Sequence, residues 1–278
     1  MGYPMAGHLA RKGHDVTVFN RTSARAEKWV REFGGGCQST PAAAAKGKEL
    51  VFACVGNDDD LRSVTTGPHG AFETLEKSAV FVDHTTASAA VARELHAIAR
   101  AEGCGFVDAP ISGGQAGAEN GTLSVMCGGT PEDYRKAEGV ILSYARACKL
   151  MGPPGSGQLT KMVNQICIAG LIQGLAEGLH FAKRAGLDPE AAVEIISKGA
   201  AQSWQMDNRS KTMSAGKFDF GFAVDWMRKD LTLCLEEARR NGATLPVTAL
   251  VDQLYAEVQK MGGGRWDTSS LIARLEKP

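Results

Sequence analysis

Up to about residue 150 the chain alternates between short β-branched runs and longer amphipathic stretches, and no other feature limits its fold as strongly. "DVTVF", "LVFACV", "AVFVDHTT", "CGFVDAP" and "LSVMCGG" read as strands. "SARAEKWVREF", "SAAVARELHAIARAEG" and "PEDYRKAEGVILSYARA" read as helices. Parallel strands need a crossover between them, and a helix is the usual one, so this alternation predicts a parallel sheet covered by helices on both faces. The strands run into the polar or glycine-rich segments "VFNR", "ACVGN", "VDHTT" and "VDAPISGG". In such sheets ligands bind at the carboxyl ends of the strands.

The alternation stops near residue 152. "MGPPGSGQ" is a turn and linker. Beyond it "LTKMVNQICIAGLIQGLAEGLHFAKRAG" has helical spacing and little charge until its end, which predicts burial on most sides. "DPEAAVEIISKG" is a capped helix, with Asp188 as N-cap, Pro189 at the first helical position and Gly199 past the end. Further helices are expected over 222–241 and 246–260, and no strand after 152. The expected architecture is a doubly wound α/β domain over 1–152 and an all-α domain over 153–278.

The start of the chain is anomalous. "MGYPMAGHLARKG" reads as a helix, with Pro4 in its first turn and Gly13 at its end. Helix then strand is the second half of a βαβ unit, and no strand precedes it.

Composition narrows the function. Lys+Arg and Asp+Glu both number 31, for a formal net charge of +0. Nothing draws such a chain generally toward nucleic acid or an anionic membrane. No stretch approaches the roughly 18 apolar residues of a membrane span. The opening residues are short on apolar side chains and include His8, Arg11 and Lys12, unlike a signal peptide, so a cytoplasmic protein is expected. The seven cysteines form no C-x-x-C pair and the six histidines are scattered, which argues against a metal site and for buried thiols in a reducing compartment.

Four stretches carry chemistry. After "VTVF" come Asn20, Arg21 and Thr22. In a dinucleotide fold an acid here would hold the ribose 2′-OH, whereas arginine pairs with a 2′-phosphate, so the reading is NADP with NAD as the alternative; by itself Arg21 is equally a solvated surface residue. In "DAPISGGQAGAENGTL", Ser112, Gly113 and Gly114 follow a strand, where successive N–H groups can cradle a carboxylate. In "GSGQLTKMVNQ", Lys161, Asn164 and Gln165 share a helical face. The positive end of the helix and burial both disfavour an ammonium, which suits Lys161 to proton transfer with a carbonyl/alcohol pair. In "FAVDWMRKDLTL", Phe222, Asp225, Trp226 and Lys229 line one face, a pattern that packing alone also produces.

In this order the four stretches resemble the β-hydroxyacid dehydrogenase family, over essentially the whole chain. "MGYPMAGHL" looks like the end of that family's G-x-G-x-M-G-x-P-M-A loop, and the others look like its substrate, catalytic G-x-G-x-x-x-K-x-x-N-N and C-terminal F-x-x-x-x-x-x-K-D-L motifs. The resemblance implies Lys161 as catalytic acid/base, Asn164 holding substrate, and Ser112, Gly113 and Gly114 at the substrate carboxylate. It implies cofactor contacts from Gly2, Asn20, Arg21, Thr22, Val55, Gly56, Thr86 and Phe222, with Lys229 reaching substrate or cofactor.

Three departures stand out. Gln165 replaces the second asparagine, and Gly56 replaces a proline. Gly2 matches only the last glycine of G-x-G-x-x-G, so the first strand and the first two glycines are missing. The expectation is that Met1 is an internal methionine and that the start lies on the order of a dozen residues upstream. The chain as written is then expected to be poorly stable and a weak cofactor binder.

The sequence therefore reads as a cytoplasmic, NADP-preferring oxidoreductase that interconverts a short β-hydroxyacid and its semialdehyde. The apolar helical half suggests a homodimer or homotetramer, as in the family. The rivals are an imine reductase, which usually lacks the lysine, and a non-catalytic cofactor-binding dimeric module.

Overall fold

The computed structural model describes residues 1–276. In chain order it contains α1 (Gly2–Arg11), β1 (Thr17–Val18), α2 (Ser23–Phe33), β2 (Gly36–Cys37), α3 (Pro41–Ala45), β3 (Leu50–Ala53), α4 (Asp58–Thr65), β4 (Val80–Asp83), α5 (Ala89–Ala101) and β5 (Gly105–Asp108). There follow β6 (Ile111–Ser112), α6 (Gly114–Glu119), β7 (Leu123–Gly128), α7 (Pro131–Ile141), β8 (Ala145–Gly152) and α8 (Ser156–Arg184). The chain ends with α9 (Pro189–Ile196), α10 (Trp204–Ser214), α11 (Val224–Asn241), α12 (Pro246–Lys260) and α13 (Leu271–Leu275). It divides into two compact units, Met1–Lys161 and Met162–Pro278.

The first unit is Rossmann-like. β3, β4 and β5 are parallel and in register, so that Asp83 stands opposite Asp108. Alternate residues of these strands feed different cores. Val80, Val82 and Val107 join Ile141 and Tyr144 on one face, while Phe81 and Phe106 join Val91 and Leu95 on the other. That two-sided burial makes the sheet doubly wound. The sheet is mixed rather than wholly parallel: β7 runs antiparallel to β5 and β6, and β8 runs parallel to β7. β1 and β2 form a separate parallel pair, and β3 is an edge strand. β3 is accordingly only half-buried, whereas β4 and β5 are buried throughout.

Two local expectations fail. The helix expected to run to Ala147 stops at Ile141, and Ala145–Gly152 is a strand, β8. Its signal was the alternation "CKLM", masked by the helical pattern before it. "DVTVF" yields only the two residues of β1, which pairs on one side alone.

The second unit is helical, as expected. Asp188 caps α9 through the Glu190 N–H at 2.9 Å. The unexpected α10 is capped by Ser203, which accepts the Met206 N–H at 3.1 Å. The core gathers Ile172, Leu179, Met213, Met227, Leu231 and Tyr255. α8 has the length and apolar composition of a membrane span, which the sequence reading had excluded. It is less buried than expected: Ala169, Ile172, Ala176 and Leu179 enter the core, but Val163 is 60% and Phe181 70% exposed.

Candidate active site

In the first unit the expected cofactor residues lie at strand ends and helix starts. Gly2 opens α1, whose N-terminus has no side-chain cap. A Cβ on Gly2 would meet the Cys54 side chain at 3.5 Å, so α1 begins beside the end of β3. Val55, just beyond that end, donates its N–H to Thr85 Oγ1 at 3.1 Å, which joins the Val55–Gly56 turn to the segment that carries Thr86. Asn20 spends its side-chain oxygen on the Thr22 N–H at 2.9 Å, which closes a local turn. Arg21 extends into solvent with its side chain 78% exposed and pairs with Asp60 at 2.9 Å. Asp60, in the first turn of α4, escaped the sequence reading because nothing in "NDDD" names a partner 39 residues away. An uncapped helix start and an exposed guanidinium suit a phosphorylated dinucleotide, so these residues fit a nicotinamide cofactor.

Ser112 ends β6, opposite Ser124. Gly113 and Gly114 follow with φ of 130° and 63°, the left-handed region that glycine enters most readily. The sequence-level carboxylate cradle thus falls on a turn with the backbone freedom it needs.

Behind these loops lies a buried polar layer that the sequence reading did not identify. Asp83 accepts the Thr85 N–H at 2.9 Å through Oδ1, and its buried Oδ2 has no hydrogen-bond partner. Burial pushes this carboxyl up to about 7. Asp108 is raised to about 6 by burial, against the hydrogen bonds it accepts from backbone N–H groups. Burial lowers His84 to about 4, so its imidazole is neutral at pH 7. With Nδ1–H donating to the Ala109 carbonyl at 2.6 Å, Nε2 accepts from the Tyr144 hydroxyl at 2.8 Å.

Lys161 stands in the second turn of α8 and is 7% exposed. Asn164 and Gln165 follow on the same helix. Within the second unit Asn164 donates to Gln165 Oε1 at 2.7 Å, and Gln165 Nε2 donates to Asp230 Oδ2 at 2.6 Å. Lys229 pairs with the other oxygen of Asp230 at 2.9 Å. Asp230 is buried and ties the catalytic-motif polar stripe to the C-terminal motif lysine, a role the sequence reading did not give it. Gln165, which departs from the family's asparagine, is the residue that reaches this carboxylate. Phe222 precedes α11, 37% exposed, with its N–H donated to Asp267 Oδ2 at 2.9 Å.

A Rossmann-like unit with these strand-end residues, followed by a helical unit, defines an NAD(P)-dependent oxidoreductase. Two family models cover the chain: the NAD-binding domain of 6-phosphogluconate dehydrogenase over residues 1–152, and the NAD-binding domain of NADP-dependent 3-hydroxyisobutyrate dehydrogenase over 155–275. An oxidoreductase of Shewanella frigidimarina is 64% identical over 277 residues, covering 100% of this chain and 95% of that protein. A probable mitochondrial 3-hydroxyisobutyrate dehydrogenase-like protein of Arabidopsis thaliana is 39% identical, covering 100% of this chain and 83% of its own length. Among solved structures, 3-hydroxyisobutyrate dehydrogenase of Mycobacterium tuberculosis with L-serine matches with a TM-score of 0.90 and 26% identity, covering 100% of this chain and 96% of that one. The chain belongs to the β-hydroxyacid dehydrogenase family.

Proposed function

We propose that the protein interconverts a short β-hydroxyacid and its semialdehyde, with NADP preferred over NAD and Lys161 as general acid/base. The observation that carries this reading is Lys161 itself, a nearly buried lysine in the second turn of a helix that starts at the strand ends. The nicotinamide, when bound, supplies or accepts the hydride. In reduction Lys161 protonates the oxygen of the carbonyl; in oxidation its neutral amine takes the hydroxyl proton. Asn164, held by Gln165, orients the substrate. The Ser112–Gly114 turn receives the substrate carboxylate, and Lys229, oriented by Asp230, adds a positive charge. Arg21 supports the NADP preference, because a guanidinium pairs with a 2′-phosphate where an acid would repel it.

Two further readings belong to this proposal. The protein works in a reducing compartment, the cytoplasm, a reading supported by an odd number of cysteines, seven, with no C-x-x-C pair. It self-associates through its helical half, which the exposed apolar residues of α8 support.

The test is cofactor oxidation by the purified chain against glyoxylate and succinic, methylmalonic and tartronic semialdehydes, with NADPH and NADH in parallel. Turnover with at least one substrate and a higher kcat/KM for NADPH is expected. Arg21→Ala should then lower kcat/KM for NADPH by about tenfold and leave NADH nearly unchanged. Equal losses with both cofactors would refute the role given to Arg21.

A further inference from the structure

We infer that Asp108 and Gln158 are positioning residues for Lys161: together they fasten the first turn of its helix to the cofactor-side loops. The inference rests on the reading of Lys161 as the acid/base. β5 ends at Asp108, and its carboxylate accepts the N–H of Gly155 at 2.8 Å through Oδ1 and that of Gln158 at 2.9 Å through Oδ2. These are donors that the start of a helix leaves without intrahelical partners. The Gln158 side chain then turns toward the segment after β4. Its Nε2 donates to the Thr85 carbonyl at 2.8 Å, and its Oε1 accepts the Ala87 N–H at 3.0 Å. Thr85 in turn holds the Val55 N–H. One hydrogen-bonded path therefore runs from the Val55 turn through the Thr85–Ala87 segment to the α8 turn, and Asp108 holds that turn from the β5 side.

The fastening leaves no slack. Gln158 and Asp108 are both fully buried. A Cβ on Gly157 would lie 2.4 Å from the carbonyl oxygens of Asp108 and Met126. A Cβ on Gly128 would lie 2.5 Å from Asp108 Oδ1 and 2.7 Å from the Gly157 nitrogen. The helix start thus rests directly on the ends of β5 and β7, and the two glycines exist for that approach. Lys161 lies three residues beyond Gln158, about 4.5 Å along the axis. Proton transfer needs heavy-atom distances of about 2.6–3.2 Å, and a displacement of about 1 Å costs on the order of a hundredfold in rate. A merely structural cap would support folding and leave this placement untouched.

The test uses the full chain with Gln158→Leu, Gln158→Glu and Asp108→Asn. Glutamate keeps the acceptor for Ala87 and loses the donor to Thr85; asparagine at 108 keeps one acceptor of two. For each variant kcat, substrate KM and the NADPH Kd are measured, together with amide hydrogen exchange over 84–90 and 154–162. Gln158→Leu is expected to lose about tenfold or more in kcat with the NADPH Kd within about twofold. Its exchange should quicken in those two segments alone, and Gln158→Glu should recover part of the rate. A kcat within about twofold of the parent overturns the inference, as does a fall of kcat and Tm accompanied by a matching rise of KM and Kd. Should Gln158→Leu fail to fold, Asp108→Asn is judged by the same criteria. A parent chain that is saturated with NADPH and turns over none of the semialdehydes refutes the reading of Lys161; unchanged exchange at 154–162 in the variants then separately refutes the fastening, and quickened exchange upholds it.

Discussion

Lys161 and Asp83 are both buried ionisable side chains in this molecule, and they lead to different expectations. In the proposed role Lys161 exchanges a proton with the substrate, so its removal should strike chemistry and spare binding. Lys161→Ala is expected to lower kcat by about two to four orders of magnitude while the NADPH Kd stays close to that of the parent. An unchanged kcat would remove Lys161 from the mechanism. Asp83 is a cost rather than a tool. Its carboxyl is held at about 7 by burial, above its ordinary value, so the protonated form is the one the fold favours. The stability this contributes is complete below a pH of about 4 and is lost as the pH rises through about 7. Asp83→Asn removes that loss. The amide oxygen keeps the Thr85 N–H, and the amide nitrogen stands where Oδ2 has no partner. The variant should therefore gain more in Tm over the parent at pH 8 than at pH 5, measured by calorimetry. A gain of the same size at both values would show that the carboxyl is not the cause.

At the level of elements, the joint between the strand ends and α8 is the most demanding feature. Gly157 sits where two carbonyl oxygens approach within 2.4 Å of a would-be Cβ, and backbone cannot swing aside as a side chain can. Gly157→Ala is expected to destabilise the chain by several kcal/mol, on the order of a severe overpacking change, and to lower kcat even at temperatures where the protein stays folded. Gly139 is a useful contrast, because a Cβ there meets nothing within 4 Å. Gly139→Ala, within α7, should be neutral or slightly stabilising by about 0.5–1 kcal/mol. Equal Tm shifts for the two variants in a thermal melt would refute the close-approach account. The joint also explains why the motif around "GSGQLTK" contains more than its lysine: glycine grants the approach, and glutamine ties the turn down.

For the molecule as a whole, each unit has a core built from its own residues. α8 buries one side and leaves another apolar and exposed. Val163 and Phe181 are eighteen residues apart, five full turns, and so lie along one line of the helix. A face of this kind calls for a second apolar surface, and a second copy of the chain supplies one. Light scattering should give a multiple of the monomer mass for the parent, and Phe181→Asp should shift it toward the monomer. A monomeric parent at micromolar concentration would dismiss self-association through this face.

Much of this was legible in the amino-acid order, and the reason is range. The short apolar, β-branched runs of β3 to β5 and β7, the 3.6-residue pattern of α2 and α5, and the Asp188–Pro189 helix start each depend on neighbours a few residues apart. They are written locally and can be read locally. β8 was hidden because its alternation follows directly on a helical pattern. Lys161, Arg21 and Lys229 were singled out by the motifs around them, but their companions were not. Asp108 reaches the helix start from 47 residues away, Asp60 meets Arg21 across 39, and Gln165 meets Asp230 across 65. The sequence alone determined the Rossmann-like sheet, the helical second half and the family. Only the tertiary structure decided which distant carboxylate stands beside each candidate side chain, because periodicity specifies the face a residue occupies but not the distant residue it meets there.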